Sequence, residues 1–492
     1  MKRLIVSIAL TCAVAFGLTN VGVPMAVALE ECPPVLESDP GETASSSKIT
    51  AVANTATTMP GTKKKFAIFH TSTACPYAMK MSGKYIAFWG QDAAKTVQGI
   101  YLYDGSQLKR VADTSTYLPG TKKKFVSFSS LSLSGSRVAF FATGGSKGTT
   151  QGVYLYKNGT LSCVANTSTT IPGTGSKKFL FGTTSTAQVM ISGNNVVFYG
   201  YDASSTVKGL YLSNGSNLEA IADTDTAVPN ETNLYFTDFL DPVMDPGYVS
   251  VARVAFTGQS AYGGYYLYNG TSKKIQVVVD RHSEVPNTGG LLFNWKKFGL
   301  HGFTANGGSV ALWGAALDGS VSGDYLHRNG RLASVITTDT KIPGTTRKFS
   351  TINGTPRASG KYVADLAGDS SKYGIMLYQH GAGLKALAAK GTKMPGSTVK
   401  FGSFDLPVLN GKYVCFRGVD SSYSARGLYL HNGTALKRVV DRTVLIPGTK
   451  TAFWDFDIPM DSVGSDGKVA FWGTYKMVKN LYQYEGIYLY KP

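Results

Sequence analysis

The sequence predicts an all-β protein, an eight-bladed β-propeller of four-stranded blades, and three observations support this prediction. A module of about 55 residues recurs eight times between residues 48 and 492. Each copy consists of short β-branched and aromatic runs separated by turn residues, which indicates strands. A proline marks the same point in every copy: Pro60, Pro119, Pro172, Pro229, Pro286, Pro343, Pro395 and Pro447. A strand-only repeat of this length is typical of propellers, in which one repeat forms one blade.

The second copy illustrates the four strands, which are expected at residues 125–133, 137–141, 152–156 and 161–165. Asn158-Gly159 separates the last two, and such a pair supplies the positive φ angles of a two-residue hairpin. We expect the same hairpin wherever the pattern recurs. It recurs at Asp104-Gly105, Asn214-Gly215, Asn269-Gly270, Asn329-Gly330 and Asn432-Gly433. Several of these are also Asn-x-Ser/Thr sequons, which the turn requirement alone explains.

Closure of the ring is also predicted. The last copy ends after its third strand, residues 486–490, and has no fourth. The first copy is preceded by an unaccompanied strand, residues 49–53, that matches the fourth strand of the complete copies. We therefore expect this N-terminal strand to complete the eighth blade, which removes an exposed sheet edge.

The segments before the repeats have a different composition. Residues 1–28 are predicted to be a secretory signal peptide, since Lys2 and Arg3 precede an apolar run and a small-residue cleavage site. The apolar run, residues 4–18, is shorter than the roughly 20 residues of a membrane span. Residues 29–47 have five acidic and no basic side chains, and we expect a flexible acidic segment. The mature protein is expected to be soluble and secreted: extracellular, on the cell surface or periplasmic.

The cysteines do not form a disulfide framework, because a chain of this length buries enough core without one. Cys415 is expected to be a buried apolar residue of a strand, and Cys163 lies too far around the ring to reach it. If a disulfide forms, Cys32 and Cys75 are the expected pair. The alternative is that both remain free thiols.

Charge is the most informative part of the composition. The full chain has a net charge of +18, and the repeat region alone has 47 basic and 26 acidic residues, or +21. A domain this basic attracts polyanions over long distances. Outside the cytoplasm these include acidic polysaccharide, lipopolysaccharide, cell-wall polymer and DNA. The alternative is that the charge only keeps the surface soluble.

The repeat resembles the propellers of TolB-like proteins in the order of its parts. Those proteins also place a glycine-bounded Ile-Tyr strand before a turn and an Arg-Val strand, as in Gly99-Ile-Tyr-Leu-Tyr-Asp-Gly-Ser-Gln-Leu-Lys-Arg-Val111. The sequence is also similar to uncharacterised secreted bacterial tandem-repeat proteins. The resemblance covers the whole repeat region and implies only the fold, since unrelated functions share propellers.

Lysines recur in the connectors between blades and form the candidate binding site. A lysine is expected just before the leading Phe of six blades, and Tyr235 and Ala452 take its place in blades four and eight. The expected lysines are Lys65, Lys124, Lys178, Lys297, Lys348 and Lys400. Since the connectors lie on one face, we predict an incomplete basic ring around the channel mouth, suited to phosphate, sulfate or carboxylate groups. The alternative is that each lysine packs over its own blade and its charge is simply solvated.

Blades four and eight have extra carboxylates, namely Asp238, Asp241, Asp245, Asp455, Asp457 and Asp461. Paired carboxylates serve acid–base catalysis or bind cations, but these lack the pattern of a calcium loop, and a structural role is favoured. The histidines show no zinc-like pairing, and no haem, nucleophile-elbow or phosphate-loop motif is present. We expect no metal and no cofactor.

These features favour a secreted, non-catalytic binding or scaffold protein, monomeric, with its basic face holding an anionic extracellular polymer or partner. The alternative is a polysaccharide lyase or another enzyme acting on acidic polysaccharide. Its first candidate residues are Tyr262, Arg281, His282 and His301, in the irregular blades four and five. A third hypothesis is a platform for a protein partner, in which the charge is incidental.

Overall fold

The structure consists of eight antiparallel sheets that follow one another along the chain. It is a computed structural model that describes residues 48–69, 79–182, 188–245, 253–297, 303–478 and 481–492. Each sheet is one blade, and its strands pair in the order first, second, third and fourth. The predicted all-β, eight-bladed propeller of four-stranded blades is therefore confirmed.

The strands of blades one to four are listed first. Blade one has Phe66–Ile68 with Met79–Ser82, then Tyr85–Asp92, Gln98–Tyr103 and Leu108–Asp113. Blade two has Phe125–Ser134, Arg137–Gly144, Thr150–Lys157 and Thr160–Asn166. Blade three has Val189–Ser192, Asn195–Tyr201, Lys208–Ser213 and Leu218–Asp223. Blade four has Asp238–Met244, Arg253–Gln259, Gly264–Asn269 and Lys274–Val279.

The other four blades repeat this pattern. Blade five has Phe303–Asn306, Ser309–Ala315, Ser322–Arg328 and Arg331–Thr337. Blade six has Thr351–Ile352 with Arg357–Ser359, then Tyr362–Gly368, Tyr373–Gln379 and Gly383–Ala389. Blade seven has Ser403–Phe404 with Val408–Asn410, then Tyr413–Val419, Arg426–His431 and Leu436–Asp441. Blade eight has Asp455–Asp457, Val469–Thr474, Gly486–Tyr490 and the N-terminal strand Ile49–Asn54.

In the part of the chain that the structure describes, three short elements lie outside the blades. They are a hairpin of Lys476–Val478 with Leu481–Gln483 and the 3₁₀ turns Ser146–Gly148 and Trp295–Lys297.

The N-terminal strand closes the ring as predicted. Ile49–Asn54 pairs antiparallel with Gly486–Tyr490, the third strand of blade eight. The Lys491 N–H donates to the Lys48 carbonyl at 2.8 Å and extends this seam by one step. The fourth strand of the last blade therefore comes from the other end of the domain.

The first strands of neighbouring blades converge, which identifies them as the inner strands. The Val189 N–H of blade three donates to Ser130 Oγ of blade two at 2.8 Å. The Gly411 N–H of blade seven donates likewise to Ser359 Oγ of blade six at 2.8 Å. At the seam, the Met81 N–H donates to the Asp461 carbonyl at 2.8 Å. These contacts tie blade to blade next to the ring axis.

The hydrophobic core lies between blades rather than within them. The described residues form eight buried clusters, and each combines residues of two adjacent blades, including blades eight and one. The second strand of blade one shows how, since Ile86 and Phe88 pack towards blade eight while Ala87 and Trp89 pack towards blade two. Both faces of a middle strand are buried, which explains its nearly continuous apolar sequence.

One packing unit recurs in seven blades. The leading Phe of a blade meets a Tyr of its third strand edge-to-face, as Phe66 meets Tyr101 with ring centroids 4.8 Å apart at 83°. In six of these blades the same Phe also lies against a glycine of the second strand, and a Cβ on Gly90 would lie 2.6 Å from the Phe66 ring. The seven leading rings are Phe66, Phe125, Phe179, Phe236, Phe293, Phe401 and Phe453.

The hairpins between third and fourth strands correct one prediction. Asn158-Gly159 and Asn329-Gly330 form two-residue turns, with Lys157 opposite Thr160 and Arg328 opposite Arg331. The other predicted dipeptides lie in four-residue loops, as between Tyr103 and Leu108, and Asn269 is the last paired residue before its loop. In these loops the first Asp or Asn side chain stabilises the turn by accepting backbone hydrogen bonds. Asp104 Oδ1, for example, accepts from the N–H groups of Ser106 and Gln107. Such an Asx turn makes the tighter hairpin unnecessary.

The core between blades five and six contains two carboxyl groups. Asp324 and Asp365 are both fully buried. Asp365 accepts from the Leu366 and Gly354 N–H groups at 2.7 and 3.1 Å. Among the described residues, no donor reaches either oxygen of Asp324. Burial, with the like charge of Asp365 beside it, raises the pKa of Asp324 well above its usual range. Burial beside Asp365 therefore favours the protonated form of Asp324, in which it can donate to Asp365.

The packing of Phe66 on Gly90 predicts a steric cost for a single methyl group. Gly90→Ala should destabilise the fold by about 1–3 kcal/mol, because the new Cβ overlaps a ring that is 1% exposed. Urea unfolding measures the change. Adding Phe66→Leu makes room, so the double variant should lose less than the sum of the two single losses. Strictly additive losses would contradict the packing.

The Asp324–Asp365 pair predicts a pH-dependent stability. An ordinary aspartate releases its proton near pH 4, whereas buried Asp324 keeps its proton to higher pH. The unfolded chain then binds fewer protons than the folded chain, so the contribution of Asp324 to stability falls as pH rises. Asp324→Asn retains a donor for Asp365 and removes this titration.

Relative to the wild type, Asp324→Asn should therefore gain stability between about pH 5 and pH 8 in urea unfolding. Asp339→Asn, at a carboxyl that is 60% exposed, is the control and should follow the wild type. If the stability of the Asp324→Asn variant ran parallel to that of the wild type at every pH, Asp324 would be ionised in the fold.

Candidate functional site

The two edges of the ring differ in the chain segments that they present. The connectors between blades and the loops between second and third strands share one edge, because the first strand pairs antiparallel with the second. We call this edge the connector face. The turns between first and second strands and the third–fourth hairpins form the opposite edge, the hairpin face.

Each connector is itself a small hairpin with one bridge pair, such as Thr58 with Lys65. The predicted lysine follows the tip and directly precedes the buried leading Phe. Five of the predicted lysines occupy this position and are exposed: Lys65, Lys124, Lys178, Lys348 and Lys400. The structure thus brings five side chains to the same face, one per connector.

The contacts of these lysines are few. Lys348 Nζ lies 2.8 Å from Asp339, where both side chains are about 60% exposed, and Lys124 Nζ lies 5.4 Å from the centroid of the Tyr117 ring. Lys178 donates to Thr170 Oγ1. Within the described part of the chain, Lys65 and Lys400 have no ion pair. Exposed pairs of this kind are weak, so these ammonium groups are available to a ligand.

The basic residue that precedes three of these lysines has a different role. Lys64 pairs with Asp92 at 3.0 Å, Arg347 with Asp369 at 3.1 Å, and Lys177 approaches Asp202 at 3.8 Å. Each acid belongs to the second–third loop of the same blade. Although burial opposes the shift, hydrogen bonds from the Val97 N–H and Lys64 lower the pKa of Asp92. These inner cations hold the connector onto its own blade.

Blade five departs from the predicted register. Its leading ring is Phe293, which meets Tyr325 edge-to-face, and the residue before it is Leu292, bridged to Glu284. Lys297 instead ends the 3₁₀ turn Trp295–Lys297 and does not occupy the equivalent position. The reason is the extra residues between the leading Phe293 and the inner strand at Phe303.

The lysines therefore form an arc rather than a ring with two opposite gaps. The arc covers blades six and seven, then blades one to three, and at blade eight Ala452 interrupts it. Blades four and five, with Tyr235 and Leu292, lie together outside it. Their connectors have one basic residue, Arg281, and five acidic ones: Asp223, Asp225, Glu231, Asp280 and Glu284. The connector face is thus polarised between a basic arc and a smaller acidic sector.

Large exposed apolar side chains concentrate on the same face. Among the described residues, nine large apolar side chains are more than one third exposed to solvent. All of them except Leu240 lie in connectors, in second–third loops or in the residues that directly follow these segments. The eight are Tyr117, Val126, Tyr235, Leu292, Leu317, Tyr423, Leu445 and Tyr484. Exposed tyrosines next to lysines are common in binding surfaces, which gives the connector face a second sign of function.

Three of the four residues suggested for a lyase do meet. Arg281 lies over the Tyr262 ring at 3.6 Å and donates to both oxygens of Glu231 at 2.8 Å. His282 Nε2 lies 3.2 Å from Glu231 Oε1, and Trp295 packs edge-on against Tyr262 at 5.1 Å. His301 lies outside the described residues. Because Glu231 occupies the guanidinium fork, the cluster joins two connectors rather than presenting a free cation.

The extra carboxylates mostly join neighbouring blades. Asp245 accepts from the Gly307 and Gly308 N–H groups at 2.8 and 2.7 Å. Asp238 accepts from Tyr199 and Lys208 at 2.9 and 3.0 Å. Asp461 pairs with Lys80 across the seam at 2.6 Å, and that charge lowers the pKa of Asp461. The side chain of Asp241 lies outside the described part.

Blade seven adds a cation that the sequence prediction missed. Arg417 of its second strand pairs with Asp405 and lies 3.7 Å from Asp455 of blade eight, which also pairs with Arg426 at 3.2 Å. Desolvation raises the pKa of nearby Asp457, although Arg417 opposes the shift. The arrangement is an interblade ion-pair network with one carboxyl that holds its proton unusually well.

Several predictions receive no structural description. Residues 1–47 and Cys75 lie outside the described residues, so the signal peptide, the acidic segment and the Cys32–Cys75 pair remain predictions. Cys415 is buried and Cys163 partly buried, both as free thiols, and burial raises the pKa of Cys163 to about 11. In the described ranges no group of three His, Cys, Asp or Glu side chains is arranged to hold a metal ion. No helix there is long and apolar enough to cross a membrane.

Comparison with known proteins gives weak structural similarities. No curated protein matches the chain. The β-propeller domain of the Trilobed protease from Pyrococcus furiosus is 9% identical, with 76% of this chain and 98% of that chain covered and a TM-score of 0.39. A prolyl endopeptidase is 9% identical, with coverage of 82% and 53% and a TM-score of 0.42. An acylaminoacyl peptidase from Pyrococcus horikoshii is 10% identical, with coverage of 82% and 57% and a TM-score of 0.38.

The chain thus spans little more than half the length of the last two proteins. One family model covers nearly the whole propeller, in two matches over residues 41–188 and 137–491. On that match, the chain belongs to DUF7453, a family of unknown function.

Proposed function

We propose that this protein is a secreted, non-catalytic binding protein whose connector face holds an anionic extracellular polymer. One observation carries the proposal. The exposed lysines of the basic arc are separate from the cations that build the connectors, since the preceding Lys64, Lys177 and Arg347 face acids of their own blades. Three connectors thus have a structural cation followed by a separate, exposed lysine.

The chemistry of the arc suits a flexible polyanion better than a small rigid ligand. Lysine ammonium groups are point charges on flexible stems and do not impose bidentate geometry. Their summed field attracts a polymer from a distance and depends strongly on salt. Exposed Tyr117 and Tyr423 add apolar or stacking contacts on the same face. The candidate polymers are acidic polysaccharide, other anionic wall or surface polymers, and extracellular DNA.

The lyase alternative has less support. A lyase needs a cation that neutralises the substrate carboxylate and a base beside it. Arg281 is bound through its Nε and Nη2 to Glu231, and Tyr262 is covered by that guanidinium. The TolB-like repeat layout adds no ligand or reaction, so the proposal rests on the lysines alone.

The basic arc predicts a charge-specific loss of binding. Changing Lys65, Lys124, Lys178 and Lys400 together to Gln should leave the fold intact, because all four side chains are exposed. The affinity for a sulfated or uronic polysaccharide or for DNA should fall by at least about tenfold. The slope of log affinity against log salt should become shallower by about one for each lysine that contacts the polymer.

The matched control changes Lys84, Lys157, Lys274 and Lys437, on the hairpin face and the outer strands, to Gln. This control removes the same total charge and should keep most of the affinity. Equal losses in the two variants would show that only net charge matters, and unchanged binding in the arc variant would refute the proposal. Ultraviolet absorbance of unsaturated sugar ends, followed in the same samples, tests for lyase activity.

A further inference from the structure

The third–fourth hairpin of blade five places two arginines side by side on the hairpin face. Asn329 and Gly330 have φ angles of 51° and 74°, so they form a tight two-residue turn. The flanking residues Arg328 and Arg331 are therefore directly opposite each other in the strand register. Their side chains leave the same side of a rigid turn, about 5.5 Å apart at the Cα atoms.

This pair is unfavourable for folding. Like charges directly opposite each other on neighbouring strands destabilise a sheet. Blade two has the same two-residue turn but pairs Lys157 with Thr160. The remaining third–fourth hairpins that the structure describes have three- or four-residue loops, with no second cation at the closing pair. Blade five thus departs from the repeat in a way that packing does not require.

A cavity of about 600 Å³ lies at this hairpin, between blades five and six. Arg328, Asn329 and Arg331 line it from blade five, and His380 lines it from blade six. Leu326 and Ala333 provide its apolar wall. The backbone N–H of His380 donates to the Lys361 carbonyl at 2.8 Å. This hydrogen bond fixes the backbone of His380 beside the first–second turn of blade six.

No carboxylate in the described parts of these blades faces the two arginines. Asp318, Asp339 and Asp369 belong to loops and connectors of the opposite face, and Asp324 and Asp365 are fully buried. Neither arginine takes part in an ion pair among the described residues. The cavity is therefore lined by two arginines and a histidine, without a counter-charge from its own blades.

We propose that this cavity binds a tetrahedral oxyanion, the phosphate or sulfate group of a monoester. Guanidinium groups donate paired hydrogen bonds to such oxyanions, and two forks held at one turn can grip the same group. His380 and the amide of Asn329 supply further donors. The apolar wall of Leu326 and Ala333 accommodates the ester's carbon part. The site is independent of the lysine arc, because it lies on the opposite face.

The experiment titrates the full chain with methyl phosphate, methyl sulfate and acetate at constant ionic strength, using isothermal calorimetry. Saturable binding of one or both tetrahedral esters, at least about tenfold tighter than acetate, is the expected result. The comparison of the two esters identifies the preferred source of the oxyanion. Equal affinity for acetate, or no saturation with either ester, would overturn the proposal.

Two variants locate the site. Arg328→Gln with Arg331→Gln should weaken ester binding at least about tenfold. Arg331→Lys keeps the charge and loses the fork, so an intermediate affinity is expected. Without ester, the double variant should unfold at the same or a higher temperature than the wild type, because a repulsion has been removed.

The control is Lys84→Gln with Lys157→Gln, which removes the same charge from the hairpin face at blades one and two, away from this cavity. It should bind the esters like the wild type. If the control lost as much ester affinity as the arginine variant, only the net charge of the protein would matter, and the proposal would be overturned. Because neither the arginine variant nor the control changes a lysine of the arc, failure at this cavity and failure of polymer binding remain distinguishable.

Discussion

Burial between blades is the constraint on which the rest of this structure depends. A four-stranded blade has two apolar faces and cannot cover either by itself. Each of the eight buried clusters is shared by two neighbours, and the last is shared by blades eight and one. The ring is therefore complete only when all eight interfaces exist, and the N-terminal strand is needed to finish the last blade. Repeat length, glycine placement and the aromatic residues all follow from this requirement.

The connectors show how one short segment serves both folding and binding. The leading Phe anchors each connector in the core, and in three blades the inner cation ties the connector to an acid of its own blade. The next side chain is then turned outward at the rim. Because the anchor is common to the blades, this outward position varies without cost to packing. It is Lys in five blades, and Tyr, Leu and Ala in the other three.

Most of the fold was predictable because every repeat restates the same constraints. The period, the strands and the closing strand at 49–53 were all readable and are confirmed. The register of blade five was not, because Phe293 and Phe298 both follow plausible connectors and only packing distinguishes them. The longer hairpin loops were missed because Asp104 and Asn214 stabilise their turns through side chains, which the dipeptide alone does not reveal.

The buried acids and Arg417 left a signal that repeat comparison can recover. Asp365 takes the place that Phe88 and Phe416 hold in other blades, and Asp324 follows the glycine where Ile100 or Leu428 is usual. Arg417 likewise stands where blade one has Trp89. The pairing of the two acids could not be predicted, since it depends on the contact between a third strand and the next blade's second strand. A charged residue at a repeat position that is apolar in the other copies is nevertheless worth testing in any repeat protein.

The seam has a consequence for the topology of the chain. Lys48 and Lys491 lie within one backbone hydrogen bond of each other, so the two ends of the ring are neighbours. Joining them with a short linker and opening an exposed turn elsewhere, such as Asn158-Gly159, would give a circular permutant with the same interfaces. The choice of which blade is assembled from two distant segments is then a matter of where the chain is cut, and the ring itself has no intrinsic first blade.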